Sequence, residues 1–205
     1  MGPRALLLAA GLALAACAPR APDSPPAPAN QAEAAAPAAP ATSLAGVTGL
    51  EIQYYDVSGD NLFAIRQALN QLRPRDPNDG VPVDALSNWY IEWRWPEAAD
   101  GSCDLSRAEL RFTARIRMPR LLATAATPPA VRERWRAYER ALMAHEAGHI
   151  RIAWDGRDRV LAALRASSCA NATADGRAVI AALARAGRAY DRDTRHGFTQ
   201  GAHFP

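Results

Sequence analysis

The chain has 205 residues, 49% hydrophobic and 22% charged, enough apolar side chain for one domain with a real core. All 24 basic residues are Arg, and they exceed the 21 acids by only three. They are scattered among those acids instead of gathered with aromatic residues, which excludes a nucleic-acid partner.

Arg4 precedes an apolar run from Ala5 to Ala16, too short to cross a bilayer and of signal-peptide length. The run ends in Leu14-Ala15-Ala16-Cys17, which resembles the lipobox of bacterial lipoproteins. That resemblance implies a signal peptide over 1–16 and a lipid on Cys17 that holds the chain to a membrane. Ala18, where an Asp commonly marks inner-membrane retention, directs the anchor to the outer membrane, facing the periplasm. Residues 17–45 are dominated by Ala and Pro and lack aromatic side chains, so they read as an extended, disordered tether. Residues 46–205 are left as the folded domain.

The first predicted element is a strand over Leu50–Val57, rich in Ile, Tyr and Val. Ser58-Gly59-Asp60 offers a turn and a cap, and Leu62, Ile65, Leu69 and Leu72 mark an amphipathic helix ending before Pro74. A loop follows over Arg73–Pro82. Asn88–Trp95 alternates Trp89, Ile91, Trp93 and Trp95 with polar residues, a strand whose Trp row suits core packing. Leu110–Met118 alternates still more cleanly, with Pro119 ending the run. The short loop between these two strands predicts antiparallel pairing.

Thr127-Pro128-Pro129 then opens a long helix to about Ala166, with a possible break at Asp155-Gly156. Inside it stands His145-Glu146-Ala147-Gly148-His149. Two His four apart on a helix project from one face and reach one metal ion. Glu146 lies beside that ion without binding it, placed to take a proton from water. Trp135, Tyr138, Leu142, His145, His149 and Ile152 continue one stripe in steps of three and four. The two imidazoles therefore face the interior, where a metal supplies partners that a pair of surface His would not need. A last helix starts at Asn171–Thr173, with Val179, Leu183, Ala186 and Tyr190 inward. With Cys17 lipidated, Cys103 and Cys169 remain, and an oxidising compartment makes a disulfide their default.

The expected fold class is α+β: a small, mostly antiparallel sheet packed on helices, with the His-Glu helix through the middle. That order resembles the zincin fold. The resemblance implies a peptide lying along a sheet edge beside the site, for which Leu110–Met118 is the candidate.

A hydrolytic zinc site takes three protein ligands and one open position. Asp155 would face away from His149 on an unbroken helix, and no Glu follows His149. The candidates left are Asp158, Asp175, Asp191, Asp193, His196 and His203. His196 closes the last helix and is returned towards the motif by an antiparallel pair of helices, although a helix-end role before Gly197 explains its place as well. His203 and Asp191 rank behind it, Asp191 also as an acceptor for a ligand imidazole.

The chain resembles a bacterial family of predicted secreted zinc-dependent proteases, classed as a domain of unknown function. The resemblance rests on Tyr54-Tyr55-Asp56, Trp89–Trp95, Cys103-Asp104-Leu105, Met118-Pro119-Arg120, Trp135 with Tyr138, His145–His149 and Tyr190–Gly197. The closing Thr194-Arg195-His196-Gly197 is what favours His196 as third ligand. The reading that results is a zinc-dependent metallopeptidase with Zn2+ on His145, His149 and His196, Glu146 as catalytic base, and a peptide or protein as substrate. Tyr190 is the candidate to assist the developing oxyanion. The alternative is a non-catalytic, zinc-containing envelope lipoprotein that binds peptide or cell-wall components.

Overall fold

A computed structural model describes residues 43–205. The signal segment, Cys17 and nearly all of the tether lie outside the described residues. In order come β1 (Leu50–Val57), α1 (Leu62–Leu72), β2 (Leu86–Arg94), β3 (Glu109–Leu121), α2 (Pro129–Ala166) and α3 (Ala172–Thr194). Short 3-10 turns lie at Leu105–Arg107 and Phe198–Gln200. The class is α+β, as the alternating strand patterns and the two long helical patterns predict. Among the described residues no helix is long and apolar enough to cross a membrane.

The sheet order is β1-β3-β2. β2 and β3 pair antiparallel, as their short connection predicts, while β1 pairs with β3 in parallel. The sheet is thus mixed. The chain between β1 and β3 passes through α1 and β2, long enough for the crossover that parallel neighbours require. This topology corrects one expectation: Leu110–Met118 lies in the central strand, paired with β2 as far as Arg117 and with β1 from Ala114 onward, so it offers no continuous edge. The strand with one free edge beside the site is β2. Pro119 does not end β3 but lies inside it, opposite Tyr55 of β1. Pairing with β2 stops at Arg117, so Pro119 sits in an edge-like stretch where a missing N–H is tolerated.

Asn61, not Asp60, caps α1, its side chain accepting from Ala64 N–H at 2.9 Å. Asp60 instead receives the hydroxyls of Thr124 and Thr127. Inward residues of β3 (Phe112, Ala114, Ile116 and Met118) join Trp135, Tyr138, Leu142, Ile150 and Val160 of α2 in one buried cluster. Trp89, Trp93 and Trp95 pack against that cluster, so the Trp row is core.

α2 runs unbroken through Asp155-Gly156. Gly156 is there for packing: a Cβ at that position would collide with the Leu183 side chain of α3. Tyr190, further along α3, meets α2 earlier, at Gly148. Contacts that run in opposite chain directions make the two helices antiparallel. Cys103 and Cys169 form a disulfide, with Cα atoms 5.8 Å apart, tying the loop before β3 to the turn between α2 and α3.

Candidate metal centre

α2 carries His145 and His149 one turn apart, and α3 brings Asp191 across from them. The Nε2 atoms of His149 and His145 lie 2.8 and 3.3 Å from one Asp191 oxygen. His145, Glu146 and Ala147 are buried, so the motif is set into the interior beneath the helix pair. Donors about 2.1 Å from a tetrahedral zinc stand roughly 3.4 Å apart. Two imidazole nitrogens and a carboxylate oxygen at the separations observed therefore suit a borderline metal ion, and the residues fit the ion the sequence implies.

The electrostatics follow from this packing. Burial opposes charge on Asp191, but hydrogen bonds to His145 and His149 outweigh it and hold the carboxyl well below its ordinary range. Burial likewise disfavours charge on His149, yet the bond to Asp191 and the nearby Glu146 carboxylate raise its pKa. Glu146 is pushed up by burial, against the opposing pull of His149, His145 and Ser87 of β2.

The C-terminal turn supplies a partner that sequence reading missed. Gln200 Oε1 lies 2.9 Å from His145 Nδ1. The Gln200 amide nitrogen donates to the Tyr190 hydroxyl at 3.0 Å, which points Oε1 at the imidazole. With its Nδ1–H given to Gln200, His145 would have Nε2 to offer to a metal ion in place of its bond to Asp191. Tyr190 stacks on the His145 ring at 5.0 Å and 18°. Its hydroxyl is engaged by Gln200, so it braces the ring instead of facing the cavity as an oxyanion donor.

Asp191, ranked behind His196 in the sequence, is the residue that stands against the two imidazoles. His196 Nδ1 stands 3.7 Å from the Asp191 oxygen, and its Nε2 lies 3.5 Å from Asp79 Oδ2 in the loop after α1. The compact set is His145, His149 and Asp191, while His196 belongs to a neighbouring set with Asp76 and Asp79. Asp191 lies within α3 and faces α2, whereas His196 lies past the helix end, where Arg195 and His196 both take φ of +51°. Buried Thr194 fixes that turn, donating to Tyr190 C=O at 2.7 Å and accepting from Gly197 N–H at 3.2 Å. Gly197, at φ +78°, passes directly beneath His145, and a Cβ there would stand 2.8 Å from the ring.

Asp155 pairs with Arg151 at 2.6 Å, facing away as the helix phase predicts. Of the other candidates, Asp175 accepts from Ser167 at 2.5 Å, while His203 packs on Phe198 and borders the same cavity without joining the donor set. The donor set opens into a cavity of about 480 Å³, bounded by Ser87, Asn88 and Trp89 of β2 on one side.

A family model described as "Bacterial protein of unknown function (DUF922)" matches residues 52–197. The chain belongs to the DUF922 family. No curated protein and no solved structure matches it. The matched span runs from β1 to Gly197, so it takes in the His-Glu motif, Asp191 and His196, while Gln200 lies just beyond.

Proposed function

We propose that this DUF922 protein is a zinc-dependent metallopeptidase, carried in the bacterial envelope by a lipid on Cys17. The observation that carries the reading is the convergence of His145 and His149 on one Asp191 oxygen, with Glu146 buried beside them at the wall of an open cavity. His145, His149 and Asp191 would hold the ion, with His196 standing next to Asp191. Bound there, zinc supplies a Lewis acid and lowers the pKa of water towards about 7.

Each neighbouring group has a task that follows from its place. Glu146 takes the proton of the attacking water and returns it to the leaving amine. Burial favours the first of these steps, because a carboxylate with a raised pKa takes up a proton more readily. Gln200 and Tyr190 hold the His145 ring in position. β2 pairs on one side only, so its free edge offers backbone N–H and C=O groups to an extended peptide.

The test is metal analysis of the purified protein together with casein cleavage. Wild type should carry zinc and cleave, and Glu146→Gln should keep the metal and lose at least about a hundredfold in rate. Absence of stoichiometric zinc, or equal cleavage by the variant, refutes the reading. One observation favours the non-catalytic rival, a zinc-containing lipoprotein: His196 is near enough to fill a fourth protein position. Four side-chain ligands on the bound metal, with no turnover of casein or of cell-wall muropeptides, would establish that rival.

A further inference from the structure

The same cavity has a second polar wall, built around Asp84 in the segment that enters β2. Asp84 accepts both terminal nitrogens of Arg66, at 2.7 and 2.9 Å, and the Tyr138 hydroxyl at 2.9 Å. Its backbone carbonyl accepts from Tyr55 at 2.6 Å. The carboxylate is therefore committed. Arg73, at the end of α1, also points here, but its Nη1 is 3.8 Å from Asp84, beyond hydrogen-bond reach.

Among the described residues no other carboxylate pairs with Arg73, and its Nε is buried without an acceptor. Two guanidinium groups thus share one carboxylate. A buried donor without a partner is costly, and the half-buried Arg73 side chain borders the cavity with the Asn70 amide one helical turn away. Arg66 on the same wall and Arg151 also have a buried Nε without an acceptor, but the terminal nitrogens of Arg66 are committed to Asp84 and one of Arg151's to Asp155. Arg188 and Arg195 also border the cavity, but both are exposed and neither has a buried orphan nitrogen.

We propose that Arg73, with Asn70 beside it, receives a carboxylate of the substrate. This rests on the peptidase reading above and specifies its substrate class. Tyr138, which donates to Asp84, and His145 are two turns apart on α2, roughly 10 Å, which sets the Asp84 wall about that far from the His-Glu motif. Ten ångströms is about three residues of extended peptide. The carboxylate therefore belongs about three residues from the cleaved bond, either as a free C-terminus or as an acidic side chain. The planar fork of an Arg suits both.

Binding to the Glu146→Gln protein tests this without turnover. N-acetyl-tetraalanine is titrated as the free acid and as the C-terminal amide, alongside N-acetyl-trialanyl-glutamate amide, following the Arg73 Nε–H signal by NMR. That signal is assigned with Arg73→Met. At least one carboxylate-bearing peptide should move it and bind about tenfold more tightly than the uncharged amide. Which peptide does so separates the two carboxylate sources. The preference should vanish in Arg73→Met and persist in Arg188→Met. Equal binding of acids and amide, an unmoved Arg73 signal, or a preference that survives Arg73→Met overturns the proposal. Because nothing is cleaved, this outcome stands apart from the casein test: a protein that cuts nothing can still discriminate here, and an active peptidase can fail to.

Discussion

The two ends of the α2–α3 pair use the same device and put opposite chemistry on it. At one end Gly156 admits Leu183, Val160 and Leu164 are fully buried, and the Cys103–Cys169 bridge closes the turn nearby. At the other Gly148 admits Tyr190, and the facing groups are His145, Glu146, His149 and Asp191. The first end is apolar and sealed; the second gathers polar groups whose desolvation costs free energy. The contrast teaches that helix register is set where packing is tight, which leaves the polar end free to be arranged for chemistry. It predicts that substitutions at the sealed end change stability, while those at the polar end change metal affinity.

The largest effect should come from the bridge. Opening a loop that spans 66 positions, with Cys169→Ser, should cost about 4 kcal/mol in urea unfolding. A loss below about 1 kcal/mol would show that the apolar core alone registers the helices. At the polar end, Asp191→Ala should weaken zinc binding more than about a hundredfold, since even groups behind the ligands are worth ten to a hundredfold. His196→Ala should cost less; the reverse order in a zinc titration would restore His196 as third ligand. Gly156→Ala should destabilise by about 1–3 kcal/mol through overpacking against Leu183, with zinc affinity unchanged in the folded fraction. Gln200→Ala should lower zinc affinity about tenfold while leaving the unfolding midpoint nearly in place.

The smallest effect is at alkaline pH. Burial raises the Tyr138 and Tyr55 hydroxyls above their ordinary value of 10.0, helped by the nearby Asp84 charge. Above that pH the unfolded chain releases protons that the folded chain retains, so stability should fall as pH rises. Tyr138→Phe should flatten the decline in a series of unfolding curves, at a cost of about 1 kcal/mol near neutrality for the lost bond to Asp84.

Much of this was legible in the chain because periodicity is local. The alternation of Leu110–Met118 and the stepped stripe from Trp135 to Ile152 placed β3 and α2, and the motif's own spacing placed His145 and His149 on one face. What local pattern cannot convey is which strand neighbours which. The parallel β1–β3 pairing, and with it the free edge of β2, depends on contacts distant in sequence. Gly156 looked like a helix breaker because its partner, Leu183, lies in another helix. Asp191, and not His196, joins the two imidazoles in one compact set for a related reason. Thr-x-His-Gly reads as a ligand motif, yet Thr194 and Gly197 act first as a helix-ending device, and the carboxylate facing α2 comes five residues before His196. Gln200 lies in a 3-10 turn with no periodic pattern, so nothing in the sequence pointed to it.

The most direct measurement is X-ray absorption at the zinc edge, made on purified protein whose metal content has been counted. The account predicts one zinc per chain, bound by two imidazoles and an oxygen donor, with that oxygen replaced in Asp191→Ala. A protein that binds no stoichiometric zinc, or whose metal shell is unchanged when Asp191 is removed, would contradict it.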